Sequence, residues 1–467
     1  MKSFLGIAVR VLQVALFAVI FTTAALAEGI RWDPNQQTLD ADLTKAPLIP
    51  TFEQLAAQTG WHIYLEPTIG KSFTTKFSGL PRGQAMHALI GDMNYMFVPA
   101  TDGPIKLYVF RTSRDAASVE IKAKPQADPN APIVRRVSHQ LVVKLKPGAK
   151  IEDIAAKYGA TVKGRIGDLN AYLLEFDSDA NTEFARAELT ANEDVDAVDS
   201  NYYVDQPPAA KKLDNAPLGP PQLALNPPPL DGRTVIGLID TSLQTLSPDM
   251  QKFVLDQISV AGQANPSSDP THGTSMAETM LRALQFATGG STSVQILPVD
   301  VYGPNPTTTT FDVANGIIRA VNGGATIINL SLGSDTGSTF LHSVIADVTA
   351  RQIPIFGAAG NTPVTTPFYP AAYPEVIAVT ASSSMMPTTS ANLLANYANR
   401  GSFVDMIGPG VSIVVDLQGQ SWVVQGTSAA SAYAAGMAAG FADSRNLPAA
   451  SAANSVKAML PFKSTAK

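Results

Sequence analysis

The clearest pattern in the chain is a set of short apolar runs in its C-terminal half. Thr-Val-Ile-Gly-Leu-Ile at 234–239, Gln-Ile-Leu-Pro-Val at 295–299, Thr-Ile-Ile-Asn-Leu at 326–330 and Val-Ile-Ala-Val at 376–379 show no regular polar alternation. Strands buried on both faces have this character, so the runs predict a parallel sheet with helices on each side, an α/β fold. Helical stretches fall between them. One starts at His272 and runs to about 284; another follows Ser428 through small residues to Gly440. The Thr-rich run 307–310 reads as a loop. This block spans residues 231–462.

Two smaller blocks precede it. Over residues 28–114 the pattern predicts a helix at 52–58 ended by Gly60, and an alternating strand at 61–65. A strand at 73–77, a helix at 83–93 with Ala85, Leu89 and Ile90 inward, and a strand at 106–111 follow. Residues 115–138 read as a linker, rich at first in Lys, Asp, Ala and Pro. Over 139–205 the expected order is strand 141–145, helix 151–158 stopped by Gly159, strand 161–165, strand 171–176, helix 181–191 and strand 195–203. That βαββαβ order is a ferredoxin-like split-βαβ sandwich. Residues 206–230 hold eight prolines in 25 positions. Such a segment stays extended and is a natural place for proteolytic nicking.

The first 27 residues carry an export signal. Lys2 and Arg10 give the positive start, 11–26 is an apolar run, and Ala25-Leu26-Ala27 is a small-x-small cleavage site. The run is short for a span of about 20 residues, so cleavage and export are expected rather than anchoring.

Composition narrows the chemistry. The chain of 467 residues is long enough for two or three domains. Lys plus Arg number 33 against 39 Asp plus Glu, a net charge of −6, which argues against a nucleic-acid partner. Hydrophobic residues at 45% against 15% charged exclude wholesale disorder. The absence of cysteine removes disulfides, a thiol nucleophile and thiolate zinc sites. None of the five histidines sits in an HExxH pattern. Catalysis without a cofactor is expected. No calcium-ligand cluster stands out, and structural calcium is left open.

Three residues carry candidate chemistry. Asp240 follows the first buried strand, His272 opens a helix in His-Gly-Thr, and Ser428 opens another in Gly-Thr-Ser-Ala-Ala. Alone, each has an ordinary structural reading: a cap or turn aspartate, a structural histidine, an N-cap serine. Together they lie at strand ends and helix starts, where active residues of parallel sheets gather.

The order Asp, His, Ser resembles the subtilisin-like serine peptidases. Further stretches, in the right order, extend the resemblance. Ile327 to Gly333 is similar to the family's substrate-cleft strand, and Ala358-Ala359-Gly360-Asn361 to its oxyanion segment. Tyr369-Pro370-Ala371-Ala372-Tyr373-Pro374, Val404-Asp405 and Gly408-Pro409-Gly410 match structural stretches. The resemblance implies Ser428 as nucleophile, His272 as base and then acid, and Asp240 as orienter of the imidazole. Asn361 and the Ser428 backbone N–H would stabilise the oxyanion. Ser331, Leu332, Gly333, Ala358, Ala359 and Gly360 would border the pocket of an extended peptide.

Three motifs depart from the family: Asp240-Thr241-Ser242 has Ser where Gly is usual, His272-Gly273-Thr274-Ser275 lacks a second His, and Ala429-Ala430-Ser431-Ala432 replaces a Pro-His pair. They motivate an alternative, a pseudoprotease serving as a peptide-binding or regulatory envelope protein. Residues 139–205, ending in Val-Asp-Ala-Val-Asp-Ser-Asn-Tyr, resemble the family's inhibitor-type propeptide. That resemblance implies that the enzyme binds its own propeptide domain and cuts itself within 206–230. Residues 28–114 resemble the short N-terminal domain of secretins and TonB-dependent transducers. This implies a Gram-negative envelope, hence periplasm or secretion, and a protein partner.

Overall fold

The computed structural model describes residues 29–66, 72–91, 93–99, 104–121, 134–213, 223–226, 234–388 and 393–462. The export signal at 1–27 lies outside the described residues. The chain divides into two compact units, 1–127 and 128–467.

The first unit runs β1 (Gly29–Asp33), β2 (Thr38–Pro47), α1 (Leu48–Thr59), β3 (His62–Leu65), β4 (Ser72–Pro81), α2 (Arg82–Ile90), β5 (Asn94–Val98), β6 (Lys106–Phe110) and β7 (Val119–Ile121). Strands β1-β2-β4 form one sheet and β5-β6-β3-β7 a second. Phe52, Leu55, Ile63, Met86 and Leu107 are fully buried between sheets and helices. Helix α1 stops where Gly60 adopts a left-handed conformation and returns its N–H to Ala56. Order extends beyond the boundary that composition suggests at 115. Ile121 is buried, and β7 pairs antiparallel with β3.

The second unit opens with β8 (Arg136–Leu145), α3 (Ile151–Tyr158), β9 (Thr161–Ile166), β10 (Ala171–Glu175), α4 (Asp179–Thr190) and β11 (Val195–Asp205). Sheet order β11-β8-β10-β9 with antiparallel pairing is the split-βαβ arrangement. Leu141, Val143 and Leu174 pack under α3 and α4. Val142, Ile166, Ala171 and Val204 join the core of the module that follows.

That module contains β12 (Lys211–Lys212), β13 (Val235–Asp240), α5 (Pro248–Gln251), β14 (Ile258–Ser259), α6 (His272–Thr288), β15 (Gln295–Asp300), β16 (Thr307–Thr309), α7 (Thr310–Asn322) and β17 (Ile327–Leu330). It continues with α8 (Thr339–Ala350), β18 (Ile355–Ala358), β19 (Val376–Ser382), β20 (Met406–Pro409), β21 (Val411–Val415), β22 (Ser421–Gln425), α9 (Thr427–Ser444) and α10 (Ala449–Met459). A seven-stranded sheet runs β14-β15-β13-β17-β18-β19-β20, parallel throughout. Helices α6, α9 and α10 share one core with the sheet, and α7 and α8 share the other. Every residue of β13, β17, β18 and β20 is buried, which is why their sequences do not alternate.

The Thr-rich run is a strand, not a loop. β16 lies antiparallel to the end of β11, with Tyr203 opposite Thr309 and Asp205 opposite Thr307. Strand β11 also closes two helix starts. Asp199 Oδ2 accepts hydrogen bonds from Phe340 N (2.9 Å) and Ser338 Oγ (2.8 Å) at the head of α8. Asn201 Oδ1 accepts from Phe311 N (3.1 Å) and Thr310 Oγ1 (3.2 Å) at the head of α7. Side-chain oxygens in this position satisfy orphan donors and are worth about 1 kcal/mol each. The carboxylate of Asp199 also faces the positive end of its helix.

Candidate active site

Asp240 ends β13 and His272 begins α6, with Thr271 as the helix N-cap. The imidazole Nδ1 lies 2.7 Å from Asp240 Oδ1 and 2.9 Å from Oδ2, and both side chains are 1% exposed. Asp240 Oδ1 also accepts from Thr241 N at 2.7 Å. A carboxylate at Nδ1 fixes the proton there and leaves Nε2 as the basic nitrogen. The two motifs are pinned to one another by Gly273 N donating to Thr241 Oγ1 (2.8 Å). A Cβ at Gly273 would stand 2.2 Å from the Thr241 carbonyl oxygen, so only glycine fits.

Asp300, opposite Asp240 in the parallel register, is a second buried carboxyl. Burial pushes its pKa up, the backbone N–H groups of Gly303 and Tyr302 oppose that, and the Asp240 charge adds to the rise.

Ser428 is the second residue of α9; the N-cap is Gly426, not Ser428. In a helix's first turn the backbone N–H groups have no partner within the helix. The Ser428 hydroxyl donates to the Ser331 carbonyl at 3.2 Å, and Ser331 Oγ donates back to the Ser428 carbonyl at 3.0 Å. Asn329 Nδ2 donates to Ser331 Oγ (2.9 Å), while Asn329 Oδ1 accepts from Ser431 Oγ (2.8 Å). This buried network locks the start of α9 to β17. Asn329 and Ser431 thus tie Ser331 to the start of α9, a supporting role that the motifs containing them do not disclose. The available signal was an asparagine inside an otherwise apolar strand, because a buried amide needs partners.

Asn361 is oriented in the same way. Its Oδ1 accepts from Thr427 N (2.9 Å) and Thr427 Oγ1 (3.1 Å), leaving the amide nitrogen as the end available to a ligand. Gly360 N donates to Thr427 Oγ1 (3.0 Å). Thr427, which carried no role in the sequence reading, holds both Gly360 and Asn361 in place.

Ser331, Leu332, Gly333, Ala358, Gly360, Asn361 and Ser428 line one cleft of about 300 Å³, with Thr427 and Phe368. Ala359 does not border it. That side chain is fully buried and its N–H goes to the Val379 carbonyl at 3.0 Å, because alternate residues of an extended segment face opposite ways. The cleft also contains Asp205, Gln206, Pro207 and Pro208, which continue from β11. Of the three triad candidates, Asp240 and His272 are joined, while the Ser428 hydroxyl engages Ser331.

Residues 231–461 match the model of the subtilase family, and residues 122–201 match the fervidolysin N-terminal prodomain. Subtilisin E of Bacillus subtilis is 30% identical over 301 residues, which are 62% of this chain and 75% of that protein. The chain belongs to the subtilase family. A thermophilic serine proteinase of Bacillus sp. (strain AK1) is 34% identical over 209 residues, 44% of this chain and 51% of the relative, so the match spans about half that protein. Among solved structures, fervidolysin from Fervidobacterium pennivorans aligns with a TM-score of 0.52 at 16% identity, covering 68% of this chain and 56% of that one. That likeness is one of fold: a parallel α/β sheet, as expected from the apolar runs, in the subtilisin-like form that the motif resemblance implies. By family this subtilase is a subtilisin-like serine endopeptidase preceded by a prodomain.

Proposed function

We propose that this subtilase hydrolyses peptide bonds with Ser428 as nucleophile, His272 as general base and acid, and Asp240 as the orienting carboxylate. The observation that carries the reading is the buried 2.7 Å pairing of Asp240 with His272 Nδ1. Rotation about the Ser428 Cα–Cβ bond releases its hydroxyl from the Ser331 carbonyl and turns it to His272 Nε2; catalytic hydrogen bonds in unliganded sites are often made this late. Attack on the substrate carbonyl passes the serine proton to Nε2. The oxyanion takes hydrogen bonds from Asn361 Nδ2 and the Ser428 N–H. His272 then protonates the leaving amine, and water resolves the acyl-enzyme. The substrate would pair along Ser331 to Gly333 as an added strand, the mode in which Asp205 already pairs with Gly333.

In the processed enzyme a fluorophosphonate probe is expected to label Ser428, and His272→Ala to remove the labelling. An unlabelled Ser428 in processed wild type would favour the pseudoprotease alternative, a peptide-binding module.

Export is part of the same proposal. It is supported by the N-terminal sequence, and among the described residues no helix is long and apolar enough to cross a membrane. Processing separates the prodomain from the peptidase within residues 206–230, catalysed by Ser428 of one copy or another. For residues 28–114 we propose a secretin- or TonB-like role in binding a protein of the Gram-negative envelope, in the periplasm or after secretion. The full chain used as bait in envelope extract should retain a protein that a variant lacking 28–114 does not. Identical eluates would discard that role.

A further inference from the structure

The register of the chain in its own cleft identifies the bond that meets the nucleophile. Gln206 N donates to the Pro306 carbonyl at 3.1 Å, on the β16 side. Successive peptide groups of a strand point opposite ways, so the groups of residues 205 and 207 face the other neighbour. There Asp205 pairs antiparallel with Gly333. Counting along that register sets residue 207 opposite Ser331. Beyond the cleft, Lys211 pairs with Val423 and Lys212 with Trp422, also antiparallel. The same counting sets residue 209 opposite Gln425, three positions before Ser428. Between these two brackets lie the 207–208 and 208–209 peptide bonds, and only the first joins two residues of the cleft. Both its residues are prolines, and both line the cleft with Ser428 and Asn361.

We propose that residues 205–213 are a strap bound in the manner of a substrate, and that its Pro207–Pro208 bond resists the enzyme's own chemistry. The proposal rests on Ser428 being the nucleophile. The strap is anchored at both ends. Asp205 forms an ion pair with Arg135, and its carbonyl accepts from Tyr302 Oη at 2.9 Å. Leu213 N donates to the Ser421 carbonyl (3.0 Å), and the Leu213 carbonyl accepts from Gln420 Nε2 (2.9 Å).

Two consequences of proline chemistry disarm the site. Pro207 has no N–H to offer the Ser331 carbonyl opposite it. That carbonyl accepts the Ser428 hydroxyl instead, which draws the nucleophile's proton away from the imidazole. Pro208 makes the facing bond a tertiary amide. Cleavage there would join Ser428 Oγ to the Pro207 carbonyl carbon, break the C–N bond and expel the Pro208 nitrogen as a secondary amine, with the serine proton delivered to it by His272. The ring Cδ stands where an ordinary leaving nitrogen carries its hydrogen, and it crowds the path of the imidazole. The adjacent prolines also hold residue 207 near φ −65°, short of the strand value of about −140° at which a peptide lies flat against its neighbour. The prodomain therefore stays joined across the cleft until a bond elsewhere is cut.

Intact-mass analysis of the full chain tests this. Wild type should yield no fragment ending at residue 207. Pro207→Ala/Pro208→Ala restores both N–H groups and should split between 207 and 208 at least roughly 100-fold faster, the scale of proton transfer to a leaving nitrogen. Adding Ser428→Ala should abolish the cut. The proposal is overturned if wild type cleaves itself between 207 and 208, or if the double variant stays whole while fluorophosphonate labels its Ser428. If the double variant stays whole, takes no label and leaves added peptides intact, the peptidase reading fails and the strap chemistry with it.

Discussion

Asp240→Asn should lower kcat by about 10⁴-fold with little change in KM, measured on the processed enzyme with a chromogenic peptide. The asparagine has the shape of the aspartate, so β13 and its buried surroundings remain intact. What changes is the direction of one hydrogen bond. Asp240 accepts from His272 Nδ1 with both oxygens and from Thr241 N with Oδ1. Keeping the Thr241 bond requires the asparagine to present its oxygen there and its NH2 to the imidazole. Nδ1 must then be the acceptor, and the proton moves to Nε2, where the base should be empty. At 1% exposure no water can substitute for the lost carboxylate. A loss smaller than about tenfold would show that the imidazole is not the base.

Asn361→Asp should cost on the order of 10²- to 10³-fold in kcat or more, with thermal stability nearly unchanged. The aspartate retains an oxygen for Thr427 N and Thr427 Oγ1, so the segment stays anchored. The other end becomes an acceptor carrying negative charge, placed where the tetrahedral intermediate develops its own. If this variant kept wild-type kcat, the oxyanion would have to be held by other groups.

The peptidase module was legible because its chemistry and its sheet are both written locally. Buried parallel strands need no partner pattern to be recognised, and Asp240, His272 and Ser428 each sit beside short, characteristic neighbours. Elements that exist only through a distant partner were not legible. β16 is three threonines and becomes a strand because β11 lies against it. The supporting shell of the site was hidden for the same reason. Ser431 meets Asn329 across 102 positions, and Asp199 reaches Phe340 across 141. Such pairs follow from tertiary packing, not from the spacing within any motif. Ala359 shows the opposite error: a motif implies that a whole segment faces the substrate, whereas an extended backbone turns every second side chain inward.

Helices α6 and α9, which present His272 and Ser428, meet almost backbone to backbone. A Cβ at Gly436 would come within 2.7 Å of the Met280 carbonyl and 2.9 Å of Ala283 Cβ, and one at Gly440 within 2.5 Å of Ala287 Cβ. His272 and Ser428, the proposed base and nucleophile, therefore ride on two helices whose crossing is a pin deep in the interior. A methyl group added at that pin would act as a wedge, opening the gap between imidazole and hydroxyl without touching either.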